Sequence, residues 1–171
     1  MSKLNDLANL LRTKVFNEIE EYWEEAETYA EINLSPDTST VKYVTELEKV
    51  GNRGKIKANN ARGIYMWTIG DKILYVGKTD SPTMSIHKRQ KNHIRSFEKP
   101  WEQHESSGRK YREFMKENNL QNMQVVIKYI NTLDYDIEGM AELLETATIN
   151  HYQPMLNREI KGRGSRNAIN H

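Results

Sequence analysis

Residues 63–78 read GIYMWTIGDKILYVGK, and this stretch decides the fold around which the rest of the chain is arranged. The aromatic and apolar residues that alternate on either side of Gly70-Asp71 are Tyr65, Trp67, Ile69, Ile73 and Tyr75. A period of two around a glycine turn predicts a β-hairpin with both tyrosines on one face. Taken by itself, the stretch is equally well explained as a half-buried hairpin with ordinary aromatic packing.

The remaining segments alternate between helical and extended patterns. Beyond the hairpin, the sequence predicts helices over residues 81–97 and 109–118, a buried strand over 123–130, and a last helix from Asp134 or Asp136 to Tyr152. The order helix, hairpin, helix, helix, strand, helix is typical of an α+β layer fold. We expect a three-stranded, mostly antiparallel sheet flanked by helices.

An amphipathic helix is predicted over residues 3–33. Its apolar residues, at steps of three or four, are Leu4, Leu7, Leu11, Val15, Phe16, Ile19, Tyr22 and Trp23. This stripe either packs on the body of the protein, which we favour, or pairs with a second copy of the chain. Residues 35–39, Ser-Pro-Asp-Thr-Ser, then predict a linker.

Charge and composition together divide the chain into three parts. Residues 1–50 carry 5 Lys and Arg against 11 Asp and Glu, a net charge of −6, whereas residues 51–171 carry 20 against 13, a net charge of +7. We therefore predict an acidic helical segment with its linker (1–50), a core led by a basic loop at 51–62 (51–158), and a basic, Gly-rich tail (159–171). A positive body suits a phosphate backbone, although two solvated faces of an ordinary globule would look alike.

The chain contains no cysteine, which excludes disulfides, thiolate zinc sites and a thiol nucleophile. No run approaches the roughly 18 apolar residues that a transmembrane helix needs, and the first residues lack the apolar stretch of a signal peptide. We therefore expect a soluble, cytoplasmic protein without a membrane partner.

Four more candidate site residues follow the hairpin in the sequence. Arg89 and His93 lie four residues apart and share a face of the predicted helix. Glu145 interrupts the apolar side of the last helix, and Asn157 follows it by twelve residues. Each has an ordinary structural explanation when taken singly. Together with Gly63-Ile64-Tyr65 and Tyr75-Val76-Gly77, however, they give an order over residues 62–158 that resembles the GIY-YIG nucleases.

The resemblance implies a role for each residue of the pattern. Tyr65 or Tyr75 would lie beside the attacking water, and a nearby cation, Lys78, would lower a tyrosine pKa. A neutral tyrosine that shuttles a proton is an equal alternative. Arg89 would bind the phosphoryl oxygens and Glu145 would hold Mg²⁺ or Mn²⁺. His93 would orient a tyrosine or share the proton, and Asn157 completes the pattern.

One departure from the pattern concerns the phosphate-binding position. The segment between Gly77 and Arg89 is a few residues longer than in compact members of the family, so Lys88 competes with Arg89 for this role. His93 at the expected spacing favours Arg89. The further cations predicted to contact DNA phosphates are Lys55, Lys57, Arg62, Lys91, Arg95 and Arg109.

The resemblance implies a metal-dependent endonuclease acting on double-stranded DNA. Because only an acidic segment and a short tail flank the core, we expect a compact, site-specific restriction-type enzyme that cuts both strands as a homodimer or higher oligomer. A free-standing mobile-element, phage or repair-type endonuclease is the first alternative. A catalytically silent nucleic-acid-binding module is the second.

Overall fold

The computed structural model describes residues 18–44, 47–50, 53–56, 60–98, 100–101, 108–133 and 139–158. Within these ranges, a first helix, α1, covers residues 18–24. The other strands and helices are, in chain order, β1 Glu27–Asn33, β2 Thr40–Tyr43, β3 Leu47–Val50, β4 Arg53–Ile56, β5 Gly63–Ile69, β6 Lys72–Thr79, α2 Ile86–Ile94, α3 Arg109–Glu117, β7 Gln124–Asn131 and α4 Met140–Tyr152. The predicted α+β class is confirmed.

The predicted hairpin forms and lies at one edge of a five-stranded antiparallel sheet. In the β5-β6 pair, Tyr65 lies opposite Gly77 and Trp67 lies opposite Tyr75. β7 pairs with the other side of β5, and β1 and β2 extend the sheet, which gives the order β2-β1-β7-β5-β6. β3 and β4 form a separate two-stranded sheet. The prediction of three strands is therefore wrong.

The two additional strands of the main sheet lie in the segment predicted as helix and linker. Residues 27–33 form β1, because Ala30, Ile32 and Leu34 alternate into the core and this period of two prevails over the helical pattern. The predicted linker at residues 35–39 connects β1 to β2. Ser39 Oγ holds this connection together by accepting from the Ser35 backbone N–H at 3.1 Å.

Helices cover both faces of the sheet. On one face, α2 and α3 pack with Ile94, Phe114 and Met115 against the side chains around Tyr65 and Trp67. We call this the tyrosine face. On the other face, α1 and α4 pack on Ile64, Met66 and Val76. In the parts of the chain that the structure describes, no helix has the length and apolar character to cross a membrane.

The described part of the N-terminal stripe packs inside the chain. Ile19 and Trp23 are buried on the α4 face, and Trp23 Nε1 donates to Thr148 Oγ1 at 3.2 Å. This confirms, for the described residues of α1, the prediction that the stripe packs on the body of the protein. Residues 3–17 of the predicted helix lie outside the described residues.

Several helices and strands begin or end at residues other than the predicted ones. α2 is shorter than the predicted 81–97, because Ser85 caps it by accepting from the Lys88 N–H and the helix begins at Ile86. The predicted loop at 51–62 contains β4. The predicted α3 and β7 are confirmed within a residue at each end. α4 begins at Met140, and the predicted starts Asp134 and Asp136, like the tail at 159–171, lie outside the described residues.

Candidate active site

The hairpin brings the two motif tyrosines together on the tyrosine face. The Tyr65 and Tyr75 ring centroids are 6.0 Å apart, and Trp67 packs edge-on against Tyr75 at 5.8 Å. Tyr65 is fully buried, whereas Tyr75 is partly exposed. Of the two hydroxyl-bearing side chains, Tyr75 is therefore the one with access to a substrate.

The two motif glycines have steric reasons to be glycine. A Cβ on Gly77 would lie 2.5 Å from the Tyr65 hydroxyl oxygen, so this glycine provides the space that the phenol occupies. Gly63 has φ of 142°, and a Cβ there would lie 2.2 Å from the Ile130 carbonyl oxygen. The motif thus encodes the close packing of Tyr65 over β6 as well as the strands themselves.

Helix α2 places Arg89 and His93 beside Tyr65. The Arg89 guanidinium lies beside the Tyr65 hydroxyl and lowers its pKa, and His93 Nε2 lies 3.4 Å from the same hydroxyl oxygen. The Tyr65 hydrogen can point to His93. The Arg89 Nε is buried and has no partner among the described residues. Because Arg89 as a whole is partly exposed, an anion would have to meet its terminal guanidinium N–H groups rather than Nε.

The electrostatics of this group favour a protonated Tyr65. Burial raises the Tyr65 pKa, and the neighbouring Tyr75 raises it further. The hydrogen bond and charge of Arg89 act in the opposite direction but do not outweigh burial. Tyr65 therefore holds its proton at neutral pH and acts as a hydrogen-bonding group that positions Arg89.

His93 is neutral at physiological pH. Burial lowers its pKa to about 4, and the nearby charge of Arg89 contributes in the same direction. A neutral imidazole can accept the Tyr65 hydrogen, which a protonated ring cannot do.

This shift predicts a pH-dependent stability. Because the unfolded His93 has a pKa near 6.5 and the folded one near 4, the unfolded state binds more protons between these values. The free energy of unfolding should therefore fall by about 2 kcal/mol, through His93 alone, as pH drops from 7 to 4.5. Urea unfolding of His93→Gln should lack this component of the pH dependence. His151→Gln, which changes an exposed histidine paired with Glu20, should retain it.

Tyr111 of α3 joins the site and was not predicted. Its ring lies 5.2 Å from His93 and 5.9 Å from Tyr75. Burial raises the Tyr111 pKa, and the neighbouring Tyr75 raises it further. The sequence indicates part of this placement, because Tyr111 shares a helical face with Phe114 and Met115. The contact with Tyr75 depends on how α3 packs, which the sequence pattern does not show.

Glu145 and Tyr75 line the same cavity. This cavity, of about 210 Å³, lies where α4 meets β6, and Thr146, Asn150 and Asn157 complete its polar lining. Tyr75 therefore borders both the cavity lined by Glu145 and the group formed by Tyr65, Arg89 and His93.

Asn157 fixes the strand that carries Tyr75. Its side-chain Oδ1 accepts from the Val76 N–H at 2.8 Å, and its Nδ2 donates to the Val76 carbonyl at 2.7 Å. These bonds occupy the outer backbone groups of β6, an edge strand of the sheet. The role of Asn157 in this geometry is to position Tyr75 rather than to contact a substrate.

Lys78 lies apart from the tyrosines. It is opposite Ile64 in the hairpin, on the α4 face, and its Nζ pairs with Asp80 at 2.7 Å and Glu142 at 3.5 Å. The hydrogen bond with Asp80 raises the Lys78 pKa. The cation beside Tyr65 is Arg89, whose charge lowers the Tyr65 pKa without outweighing burial.

The site fits a metal ion that keeps most of its water. Across the described ranges, no group of three or more His, Cys, Asp or Glu side chains is placed to hold a metal. A single carboxylate suits Mg²⁺ or Mn²⁺, because these ions tolerate water and substrate phosphate oxygens as their other ligands. Glu145, beside the cavity, is the carboxylate that fits.

The predicted DNA-contacting cations lie in different environments. Arg62 and Lys91 line a common hollow, while Arg95 is exposed at the end of α2. Arg109 pairs with Glu113 at 2.6 Å. Lys55 lies in β4, and Lys57 is outside the described residues. Lys88, the alternative to Arg89, lies in the hollow and donates to the Thr83 carbonyl.

Compared with protein-family models, curated proteins and solved structures, the chain matches none of them. Its function must therefore be inferred from the sequence pattern and the geometry of the site.

Proposed function

We propose that this protein is a metal-dependent DNA endonuclease of the GIY-YIG type, acting as a site-specific restriction-type enzyme. The observation that carries the proposal is the arrangement around Arg89. This partly exposed cation lies beside Tyr65 and Tyr75, and Tyr75 lines the cavity with Glu145. Phosphodiester hydrolysis needs an anion-binding group, a proton-handling group and a metal ligand within reach of one phosphate.

Each residue has a defined task in the proposed reaction. Arg89 donates to the phosphoryl oxygens, where negative charge grows in the transition state. The Tyr75 hydroxyl takes the proton of the attacking water as the new P–O bond forms and passes its own proton to solvent. The bond to the leaving oxygen breaks, and that oxygen takes up a proton from solvent. Tyr65 and His93 keep the guanidinium in place, and Asn157 holds the backbone of β6. Glu145 would hold a bound Mg²⁺ or Mn²⁺, which would supply positive charge that stabilises the transition state.

Cleavage of both strands follows most simply from two copies of the chain acting together. The described part of α1 does not provide the contact, since Ile19 and Trp23 are buried within the chain. The predicted oligomer and the cytoplasmic localisation stay predictions.

The role of Glu145 is tested by comparing two glutamates of the same helix. Glu145→Gln should lower the rate of plasmid cleavage in Mg²⁺ by about 10²-fold, because metal stabilisation of the transition state amounts to several kcal/mol. Glu142→Gln, which changes an exposed glutamate paired with Lys78, is the matched control and should cut nearly normally. Equal activity of both variants would show that Glu145 has no role in the mechanism.

The products of the unmodified protein distinguish the related functions. Ends that share one defined short sequence support the restriction-type enzyme, while a long degenerate site or a branched substrate indicates the mobile-element, phage or repair type. Saturable duplex binding without strand cleavage in Mg²⁺ or Mn²⁺ indicates a silent binding module and refutes the proposed activity.

A further inference from the structure

A second cationic site lies on the other side of α2. Arg62, Lys88 and Lys91, together with His87, line a hollow of about 590 Å³, which we call the basic hollow. The described residues that line it include no acidic side chain. Arg62 and Lys88 are oriented by the backbone carbonyls of Pro82 and Thr83, at 3.1 and 3.2 Å. Carbonyls orient these cations without neutralising them.

Three other cations of the described chain pair with carboxylates. Lys42 lies 3.7 Å from Glu31, Lys78 pairs with two carboxylates, and Arg109 pairs with Glu113. Arg62, Lys88 and Lys91, which lie together in the basic hollow, have no carboxylate partner among the described residues. Such a concentration of positive charge is suited to a phosphate group.

His87 adds a neutral donor to the hollow. Its Nδ1 is 2.7 Å from the Tyr29 hydroxyl. Burial and the charge of Lys91 lower the His87 pKa, so the ring is neutral at physiological pH. When the Tyr29 hydroxyl donates to Nδ1, the ring hydrogen is on Nε2, where it can be donated to an anion.

The position of the hollow relative to Arg89 indicates a ligand with more than one phosphate. Lys91 follows Arg89 by two residues, which places it about 200° around the axis of α2. A helix with its side chains is about 10–12 Å across, close to the roughly 12 Å width of the major groove of B-DNA. Cations on opposite flanks of α2 can therefore contact phosphates on both sides of one groove.

We propose that the basic hollow binds a backbone phosphate of duplex DNA, separate from the phosphate bound by Arg89, so that the duplex crosses α2. The inference rests on the proposed function for the identity of the ligand. It adds Lys88 and His87 to the DNA-binding surface and assigns Arg62 and Lys91 to one phosphate site.

The test measures duplex binding in the absence of cleavage. The full chain is titrated against a short fluorescent duplex in EDTA at several salt concentrations, and anisotropy gives the dissociation constant. Arg62→Gln combined with Lys91→Gln should weaken binding equally for unrelated sequences. The salt dependence, log K against log salt, should become shallower by about 1, because one phosphate contact is lost.

The matched control removes the same charge elsewhere. Lys42→Gln combined with Lys72→Gln changes two exposed lysines outside the hollow and should leave the slope nearly unchanged. Equal slopes for the two double variants would overturn the inference. A second result would also overturn the inference. If the hollow variant alone loses tight binding of inorganic phosphate while its slope for DNA is unchanged, the hollow binds a free phosphate ligand instead.

Cleavage is measured separately, so the two proposals can fail independently. A hollow-dependent salt slope without strand cleavage in Mg²⁺ would refute the nuclease and support the DNA-binding hollow. Cleavage with an unchanged slope would refute the hollow alone.

Discussion

Replacing Arg89 by alanine is expected to slow Mg²⁺-dependent DNA cleavage by about 10³-fold, the lower end of the range for an arginine that stabilises a phosphoryl transition state. The physical reason is the position of this partly exposed guanidinium beside Tyr65 and Tyr75, where it can donate to the phosphoryl oxygens. Single-turnover cleavage at saturating protein concentration measures this loss separately from DNA binding.

Two further variants define what Arg89 contributes. Arg95→Ala removes an exposed arginine at the end of the same helix, which is predicted to contact a DNA phosphate. It should weaken DNA binding, but at saturating protein concentration it should cut within about threefold of the unmodified rate. Arg89→Lys keeps the charge but loses the planar fork, so it should remain slower than the unmodified protein by about 10²-fold. An Arg89→Ala variant that cuts as fast as Arg95→Ala would contradict the proposed phosphate-binding role.

Removing the Tyr75 hydroxyl should have a comparable effect. Tyr75→Phe is expected to lower the cleavage rate by about 10³-fold, because a positioned acid or base contributes about 10²–10⁴-fold. The substitution keeps the ring that packs against Trp67 and Tyr111, so the thermal unfolding midpoint should change little. Single-turnover rates and unfolding curves of the same preparation separate catalysis from stability.

The control for Tyr75 is another tyrosine of the tyrosine face. Tyr29 is buried in the same cluster, but its hydroxyl contacts His87 on the other flank of α2. Tyr29→Phe should therefore cut at close to the normal rate. If Tyr75→Phe does the same, the proton is handled by another group and Tyr75 has only a packing role.

Local patterns were sufficient to predict some of these elements. The β5-β6 hairpin, α3 and β7 have a clear period and turn or cap residues at their ends, and the structure has them near the expected positions. β1 was missed because the helix predicted from the apolar stripe, whose last residue is Trp23, was extended to residue 33. Its pairing with β7 joins residues about a hundred positions apart, which a local pattern does not encode.

The candidate site, too, was predictable from local patterns only in part. Strand alternation places Tyr65 and Tyr75 on one face, and helical spacing places Arg89 beside His93. The same alternation places Lys78, one residue after Gly77, on the opposite face. The separation of Lys78 from the two tyrosines could therefore have been predicted from the sequence. The contact of Tyr111 with Tyr75 and the cavity shared by Tyr75 and Glu145 depend on helix packing and required the structure.

The most direct measurement is the incubation of the purified protein with supercoiled plasmid and Mg²⁺, followed by sequencing of the ends. We expect linear fragments whose ends share one short sequence, with no cleavage in EDTA. Intact plasmid in both Mg²⁺ and Mn²⁺, at protein concentrations that saturate duplex binding, would contradict the claim that these side chains act on a single phosphate.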